Sequence, residues 1–548
     1  MLARLTRHNK ALLYLSLLLW LLVLSIVLGS EETTCTTRTN SSYVWREIMD
    51  STPLYPSILY NVTMSNIRTR FAPSPTGYIH LGNVRSALYP FFVARQNHGQ
   101  FILRIEDTDQ NRFVEGAEAT IIDVLKWLGL TWDEGPDGRT ERGKYGPYHQ
   151  LERREIYHRW AMRLVEQGKA YADPRPPEEI KQLKDSTRDA HRLFLYRQHR
   201  PTNPPAWDGS APLRFKVTDP RDYHWHDEVM GDLSAGRDAV DDFILIKSDG
   251  LPTYNFAHII DDYEMKITHV IRGQEYISSM PNYLALYEAL EIEQPIFAHL
   301  PHILAPTGNK KLGKRDGAKS VTDYRNEGYL AEAMVNFLAC LGWNDGSEQE
   351  IFTMDELINK FSLARVQHSG ARFDEKRLTW LNGQWIKRLS PDDLLDRCTG
   401  FWGKVGQSAT KEQQREVLSV VQDRLKTLAD LPELSEYFFA RPAVNLTMLS
   451  TGKQLAKLKN DDLVKLLQLA ITGLGKIDFT DLDTIQDSLN QLLAEANEKP
   501  PVMFGLIRFA LTWAKFSPGL PETMLLLGKD ETIARLQLAS RALSAGRT

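Results

Sequence analysis

The sequence predicts an α/β protein in which a parallel sheet carries a nucleotide site and an all-α region follows. Three observations carry that prediction. The stretch 70–109, RFAPSPTGYIHLGNVRSALYPFFVARQNHGQFILRIEDTD, reads as an apolar strand, a Pro/Gly turn, a helix and a second strand ending in acids. A basic run punctuated by glycine, Lys310-Lys311-Leu312-Gly313-Lys314-Arg315-Asp316-Gly317, lies far downstream. From Ser390 onward apolar residues recur at helical spacing, as in Leu463, Val464, Leu466, Leu467 and Leu469.

Each element has a physical reason. In an open parallel sheet, ligands bind where strands end and helices begin, because helix amino termini offer unpaired N–H groups. Pro73 and Pro75 stiffen the first turn, and Gly77 and Gly82 let backbone approach a phosphate. His80 stands at the start of a helix spanning 83–98, where its imidazole can donate to a phosphate oxygen. That helix shows an apolar face of Val84, Ala87, Leu88, Phe91 and Phe92. A second helix over 117–129 repeats the pattern with Ile121, Ile122, Val124, Leu125 and Leu128. The run 242–247, DFILIK, reads as a buried strand leading back to the parallel sheet. Val270-Ile271-Arg272-Gly273 ends another strand and places Arg272 at the rim of the site. Lys311 and Lys314 then supply mobile charges from a loop that Gly308, Gly313 and Gly317 make flexible. Short amphipathic helices follow at 331–341 and 354–361. Trp380, Trp385, Lys387 and Arg388 are read in two ways, as an RNA-stacking surface or as core.

His80-Leu81-Gly82-Asn83 resembles the HIGH signature of class I aminoacyl-tRNA synthetases, and Lys311-Leu312-Gly313-Lys314-Arg315 resembles their KMSKS loop, with Gly313 where serine is usual. The longer stretches FAPSPTGYIHLGNVRSAL and FILRIEDTD resemble bacterial-type glutamyl-tRNA synthetase. So do Gly146-Pro147-Tyr148, Lys247-Ser248-Asp249-Gly250, Pro252-Thr253-Tyr254, Val270-Ile271-Arg272 and Trp380-Leu381-Asn382-Gly383, in collinear order. Glutaminyl relatives differ in the first turn and after the second strand, where this chain has Ala72-Pro73-Ser74-Pro75-Thr76-Gly77 and Ile105-Glu106-Asp107-Thr108-Asp109.

The resemblance implies a Rossmann-type catalytic domain in two halves, 64–147 and 251–320, with an acceptor-stem-binding insertion at 148–250. A stem-contact helical domain at 321–389 and an all-α anticodon-binding region at 390–548 follow. It implies an ATP-dependent ligase that makes glutamyl-adenylate and passes glutamate to the 3′ end of tRNA(Glu), releasing AMP and pyrophosphate. His80, Lys311 and Lys314 would be catalytic, and His80, Gly82, Asn83, Lys311 and Lys314 would hold Mg²⁺-ATP. Arg70, Ala72, Ser74, Glu106, Tyr254 and Arg272 would line the glutamate site. Both arginines would pair substrate carboxylates, and Glu106 would pair the α-ammonium group. A monomer is typical of the family, and some members also load tRNA(Gln).

Composition sets bounds on this reading. The 548 residues exceed one ordinary core, and a net charge of −4 excludes grip on nucleic acid by bulk charge. Cys35, Cys340 and Cys398 form no close-spaced pair, so no structural zinc is expected, and sparse cysteines fit a reducing compartment. The opening differs: 11–29 is an uncharged apolar run preceded by Arg4, Arg7 and Lys10. It reads either as a membrane anchor or as an extension ahead of a true start at Met64, the second fitting a cytoplasmic enzyme. Two other functions are weighed. A glutamyl-queuosine-type tRNA-modifying relative would lack the helices after Arg388, and a catalytically dead tethered binding protein would not need His80, Glu106, Arg272, Lys311 and Lys314 together.

Overall fold

The computed structural model describes residues 67–77, 79–313, 319–452 and 454–545. Strand β1 (Arg68–Phe71) leads through the Pro/Gly turn into helix α1 (Leu81–Gln96), which returns to β2 (Gln100–Leu103). β1 and β2 pair in parallel, from Arg68 opposite Gln100 to Phe71 opposite Leu103. Helix α1 begins two residues earlier than the apolar spacing predicts, because His80 is its N-cap and the Asn83 Oδ1 accepts from the His80 N–H. Val84, Leu88 and Phe92 are fully buried, and each contributes about 1.5–3 kcal/mol. Helix α2 (Ala117–Trp127) buries Ile121, Ile122, Val124 and Leu125, the face its sequence predicts.

An elaborate insertion follows. Helix α3 (Arg154–Glu166) precedes β3 (Ala170–Ala172) and β4 (Leu213–Phe215), and a hairpin of β5 (Tyr223–Asp227) and β6 (Gly231–Ala235) comes next. The run expected to lead back into the parallel sheet forms β7 (Ile244–Ile246), which instead pairs antiparallel with β4. The cause is Asp242. Its buried carboxylate accepts from Tyr171 Oη, Arg200 and the Val217 N–H, which ties the run into the insertion.

The parallel sheet resumes after helix α4 (Tyr254–Glu264). β8 (His269–Gly273) pairs in parallel with β9 (Ile296–Leu300), across helix α5 (Met280–Leu290). The two parallel pairs meet at Thr268, whose N–H donates to the Arg68 carbonyl and whose hydroxyl accepts from the Arg68 N–H. All four strands carry loops at their carboxyl ends, and the loops after β1, β8 and β9 define the cleft described below.

Helix α6 (Ala331–Cys340) and helix α7 (Glu375–Arg388) pack their apolar faces into the same core as α1. That core runs on without a break to Leu434, whereas a separate one spans Leu449 to Leu543. The latter is built by α8 (Asn460–Leu474), α9 (Leu482–Ala496), α10 (Pro500–Thr512) and α11 (Lys529–Ala545). Among the described residues, everything regular after Ser390 is helical. Gly328 joins the halves of the first core: it has φ +80° and its carbonyl accepts from the Leu428 N–H at 3.0 Å. A Cβ there would lie 2.6 Å from the Leu428 and Ala429 backbone nitrogens. Gly328→Ala is therefore expected to destabilise by about 3 kcal/mol, read as a lower urea midpoint. An unchanged midpoint would mean the contact yields freely.

No helix among the described residues is long and apolar enough to cross a membrane. The 11–29 run lies outside the described residues.

Candidate functional site

A cleft of about 830 Å³ opens at the carboxyl ends of the parallel strands, and both sequence motifs line it. His80, Gly82 and Asn83 line it at the amino terminus of α1, and Lys311 and Gly313 line it from the segment after Leu304. Backbone pairing explains why residues so far apart meet. Ile303–Leu304 turns back on itself, with Leu304 bridged to Lys311 and the Leu312 N–H donating to Ile303. Beyond the loop, Ser320 bridges His80 and the Val321 N–H donates to Ile79. Lys314 lies outside the described residues.

Gly82 packs its Cα beneath the His80 ring. A Cβ there would approach His80 Cε1 to 3.2 Å, so the exposed imidazole would have to shift by a few tenths of an ångström from its place over the first turn of α1. Lys311 reaches across the cleft, its Nζ donating to Glu275 Oε1 at 3.1 Å. Burial alone would raise Glu275, but the bond from Lys311 helps hold it below its ordinary value. Glu275 and Lys319 are cleft residues that sequence reasoning missed. Lys319 is held by Glu327 and Glu375 at 2.7 and 2.9 Å.

The remaining predicted residues lie deeper. Arg272 is 5% exposed, not at the rim, because it points inward from β8 beneath the aromatic side chains of α4 and the segment after β8. Its Nε donates to His299 Nε2 at 3.1 Å, its Nη1 sits 3.5 Å from Tyr254 Oη, and its guanidinium faces the rings of Tyr276 and Tyr283. Tyr254 stacks on His258 with ring centroids 4.7 Å apart and on Tyr276 at 5.1 Å. Burial and then Arg272 hold His258 well below the usual imidazole value, so it is neutral. Among the described residues Arg272 has no carboxylate partner, which for a buried cation is unusual.

Arg70 and Glu106 belong to a buried charge network that the sequence did not disclose. Asp262 of α4 accepts from Arg70 Nε at 3.1 Å and from Arg104 Nη1 at 2.7 Å. Arg104 also donates to Glu106 at 3.0 Å, and neighbouring Asp261 accepts from Arg153 and Tyr157. Burial would raise Asp262, but Arg70 and Arg104 hold it far below the ordinary carboxylate range. Burial raises Glu106, and Arg104 offsets only part of that, so a further cation beside it would be favoured. Arg70 uses its remaining bond on the Ile271 carbonyl, which leaves one N–H on each terminal nitrogen. Ala72 is half-buried and Ser74 exposed on the turn leading toward the cleft. One signal could have revealed the network: Asp261 and Asp262 close a mostly apolar run, Phe256 to Ile260, in a helix that is buried on all sides.

Of the cysteines, Cys340 and Cys398 are free, and Cys35 lies outside the described residues. Among the described residues, Glu141, His149 and Glu152 place ligand atoms within 4.8 Å of one another. His149 is already committed, at 3.2 Å to Glu118 and 2.6 Å to Glu141, and the bond to Glu118 leads in raising it to about 9. A raised pKa stabilises the fold fully below the unfolded value near 6.5, and the gain is lost as pH rises through 9. His149→Ala should therefore lower unfolding free energy at pH 6 and leave it nearly unchanged near pH 10. Equal loss at both values would contradict the charged pairing.

Two domain families match the chain. Residues 66–380 match the tRNA synthetases class I (E and Q) catalytic domain, and residues 385–540 match an anticodon binding domain. The chain belongs to the class I tRNA synthetases of the E and Q group. Several of its relatives are glutamate–tRNA ligases. Glutamate–tRNA ligase 1 of Fervidobacterium nodosum is 40% identical over 87% of this chain and 99% of its own, and a glutamate–tRNA ligase of Clostridium botulinum is 38% identical over 88% and 99%. A glutamate tRNA ligase crystal structure from Elizabethkingia meningosepticum superposes with a TM-score of 0.77 at 34% identity, covering 87% of this chain and all of that one.

Proposed function

We propose that the protein is a glutamate–tRNA ligase that activates glutamate with ATP and transfers it to the 3′ end of tRNA(Glu). One observation carries the reading. A cleft walled by both nucleotide motifs adjoins a buried guanidinium, Arg272, held among tyrosines with no carboxylate of its own among the described residues. Such a cation calls for an anionic partner from outside.

Arg272, with the spare N–H groups of Arg70, receives the substrate carboxylates, and Glu106 receives the α-ammonium group. Glutamine lacks the side-chain negative charge and would leave a buried cation uncompensated, which favours glutamate. Ala72 and Ser74 border this pocket on the turn. ATP enters as its Mg²⁺ complex. Its phosphates meet the amino terminus of α1 at His80, Gly82 and Asn83, with Lys311 beside them, and Lys314 is given the same role by its place in the motif. The substrate α-carboxylate attacks the α-phosphorus and pyrophosphate leaves, with charge stabilised by His80 and the two lysines. A terminal ribose hydroxyl of tRNA then attacks the adenylate and AMP departs. No protein nucleophile is needed, so the chemistry rests on orientation and charge. The insertion at 148–250 takes the acceptor stem, 321–389 the adjoining stem, and 390–548 the anticodon. The enzyme acts as a monomer in the cytoplasm.

The test is charging of purified tRNA(Glu) and tRNA(Gln), in separate reactions, with labelled glutamate and ATP. Charging of tRNA(Glu) supports the ligase, and the tRNA(Gln) lane reads its discrimination. A folded protein that charges neither would overturn the reading.

A further inference from the structure

Arg272 is oriented by a buried relay that begins in the insertion. Its Nε donates to His299 Nε2 at 3.1 Å, and an arginine N–H can only donate, so Nε2 must carry a lone pair. The ring proton then resides on Nδ1, which lies 2.6 Å from Asp227 Oδ2 and donates to it. Asp227 closes the β5 strand, 72 residues away in sequence. Its other oxygen, Oδ1, accepts from the backbone N–H groups of Val229, Met230 and His299 at 3.1, 2.9 and 3.1 Å. Both side chains are completely buried. Neither oxygen of Asp227 can turn away without breaking bonds in a dry interior.

We propose that Asp227 is a positioning residue for the amino-acid pocket: it fixes the His299 tautomer, and His299 in turn fixes the plane of the Arg272 guanidinium that meets the substrate carboxylate. The inference rests on the reading of Arg272 given under Proposed function. It makes the hairpin of the insertion a structural part of glutamate recognition, although neither Asp227 nor His299 lines the cleft. Burial, opposed by the bond to Asp227, holds His299 below its usual value, consistent with a neutral ring.

Asp227→Asn separates positioning from bulk. Its amide oxygen still accepts the three backbone bonds, but its NH₂ now faces His299 Nδ1 and forces the ring proton onto Nε2. Two donors then meet between His299 and Arg272, and the guanidinium must turn. The KM for glutamate is expected to rise about 10–100-fold, the scale seen when outer partners of binding groups are lost. The KM values for ATP and tRNA and the melting temperature should stay close to wild type. A glutamate KM within twofold of wild type would overturn the proposal, as would equal increases for all three substrates, which signify general damage. Failure of the wild-type protein to charge tRNA would instead strike the function itself. A measurement on the unmodified protein guards against a variant that does not fold. A histidine-selective ¹⁵N spectrum should show the His299 ring protonated on Nδ1 alone; buried His258, whose Nδ1 donates to the Tyr254 carbonyl at 2.8 Å, gives a second such signal, and the one that disappears in His299→Phe is the one to read. A His299 resonance protonated on Nε2 would overturn the relay.

Discussion

Lys311→Ala is expected to slow glutamate charging by about 10²–10³-fold, with the KM for glutamate little changed. Lys311 donates to Glu275 in the cleft that the amino terminus of α1 also lines, where the proposed function puts the phosphates of ATP. A donor aimed at charge that develops only in the transition state affects kcat far more than binding, and loss of one such contact costs about 3–4 kcal/mol of barrier. Arg272, to which the proposed function gives the substrate carboxylate, makes no bond to Lys311, so glutamate binding should survive. Pre-steady-state charging with saturating ATP separates the two. A fall in glutamate affinity with kcat intact would mean that the loop serves the amino acid, not the phosphates. Lys314→Ala should behave alike if the second lysine shares the task.

The second large effect is on folding. Asp262→Ala should destabilise the protein by about 3–5 kcal/mol, measured as unfolding free energy in urea. Asp262 is 1% exposed and neutralises two guanidiniums, those of Arg70 and Arg104, that are 4% and 0% exposed. Removing the carboxylate leaves those cations in a dry interior with Glu106 and Asp261 as the remaining counter-charges near Arg104. Because Arg70 would lose its anchor, glutamate affinity should fall as well. A loss below about 1 kcal/mol would show that water or the neighbouring acids compensate, and the network would then be peripheral to stability.

What the sequence disclosed and what it withheld divide along a physical line. Local signals sufficed where local rules decide structure. The spacing of Val84, Leu88 and Phe92 predicted that α1 buries them, and the turn ahead of His80 placed its amino terminus to within two residues. The tryptophans left with two readings divide for a geometric reason. Trp380 and Trp385 are five positions apart, about 140° around a helix, so one can face the core while the other faces outward. Trp385 is 9% exposed and bonds Asn336 Oδ1, whereas Trp380 is 45% exposed.

Partners brought together by the fold left no local trace. Asp262 meets Arg70 across 192 positions, and Asp227 meets His299 across 72. Neither pair has a spacing rule, and buried acids read as surface residues when only composition is considered. Arg272 was expected at a rim because strand ends lie there. The direction of its side chain depended on the aromatic residues of α4 and the segment after β8, which only the fold places above it. The run 242–247 was apolar enough for either sheet, and the polar partners of Asp242 made the choice.

The central claim is that buried Arg272, which bonds no carboxylate among the described residues, selects an amino acid with a side-chain carboxylate. Its most direct test is the ratio of kcat/KM for glutamate over glutamine in tRNA(Glu) charging, measured for the wild type and for Arg272→Gln. The account predicts a ratio of at least about 10³ for the wild type, because a mismatched site leaves charge unpaired, and collapse of that ratio in the variant through loss of glutamate activity. Wild-type use of both amino acids at comparable efficiency, or a ratio untouched by Arg272→Gln, would contradict it.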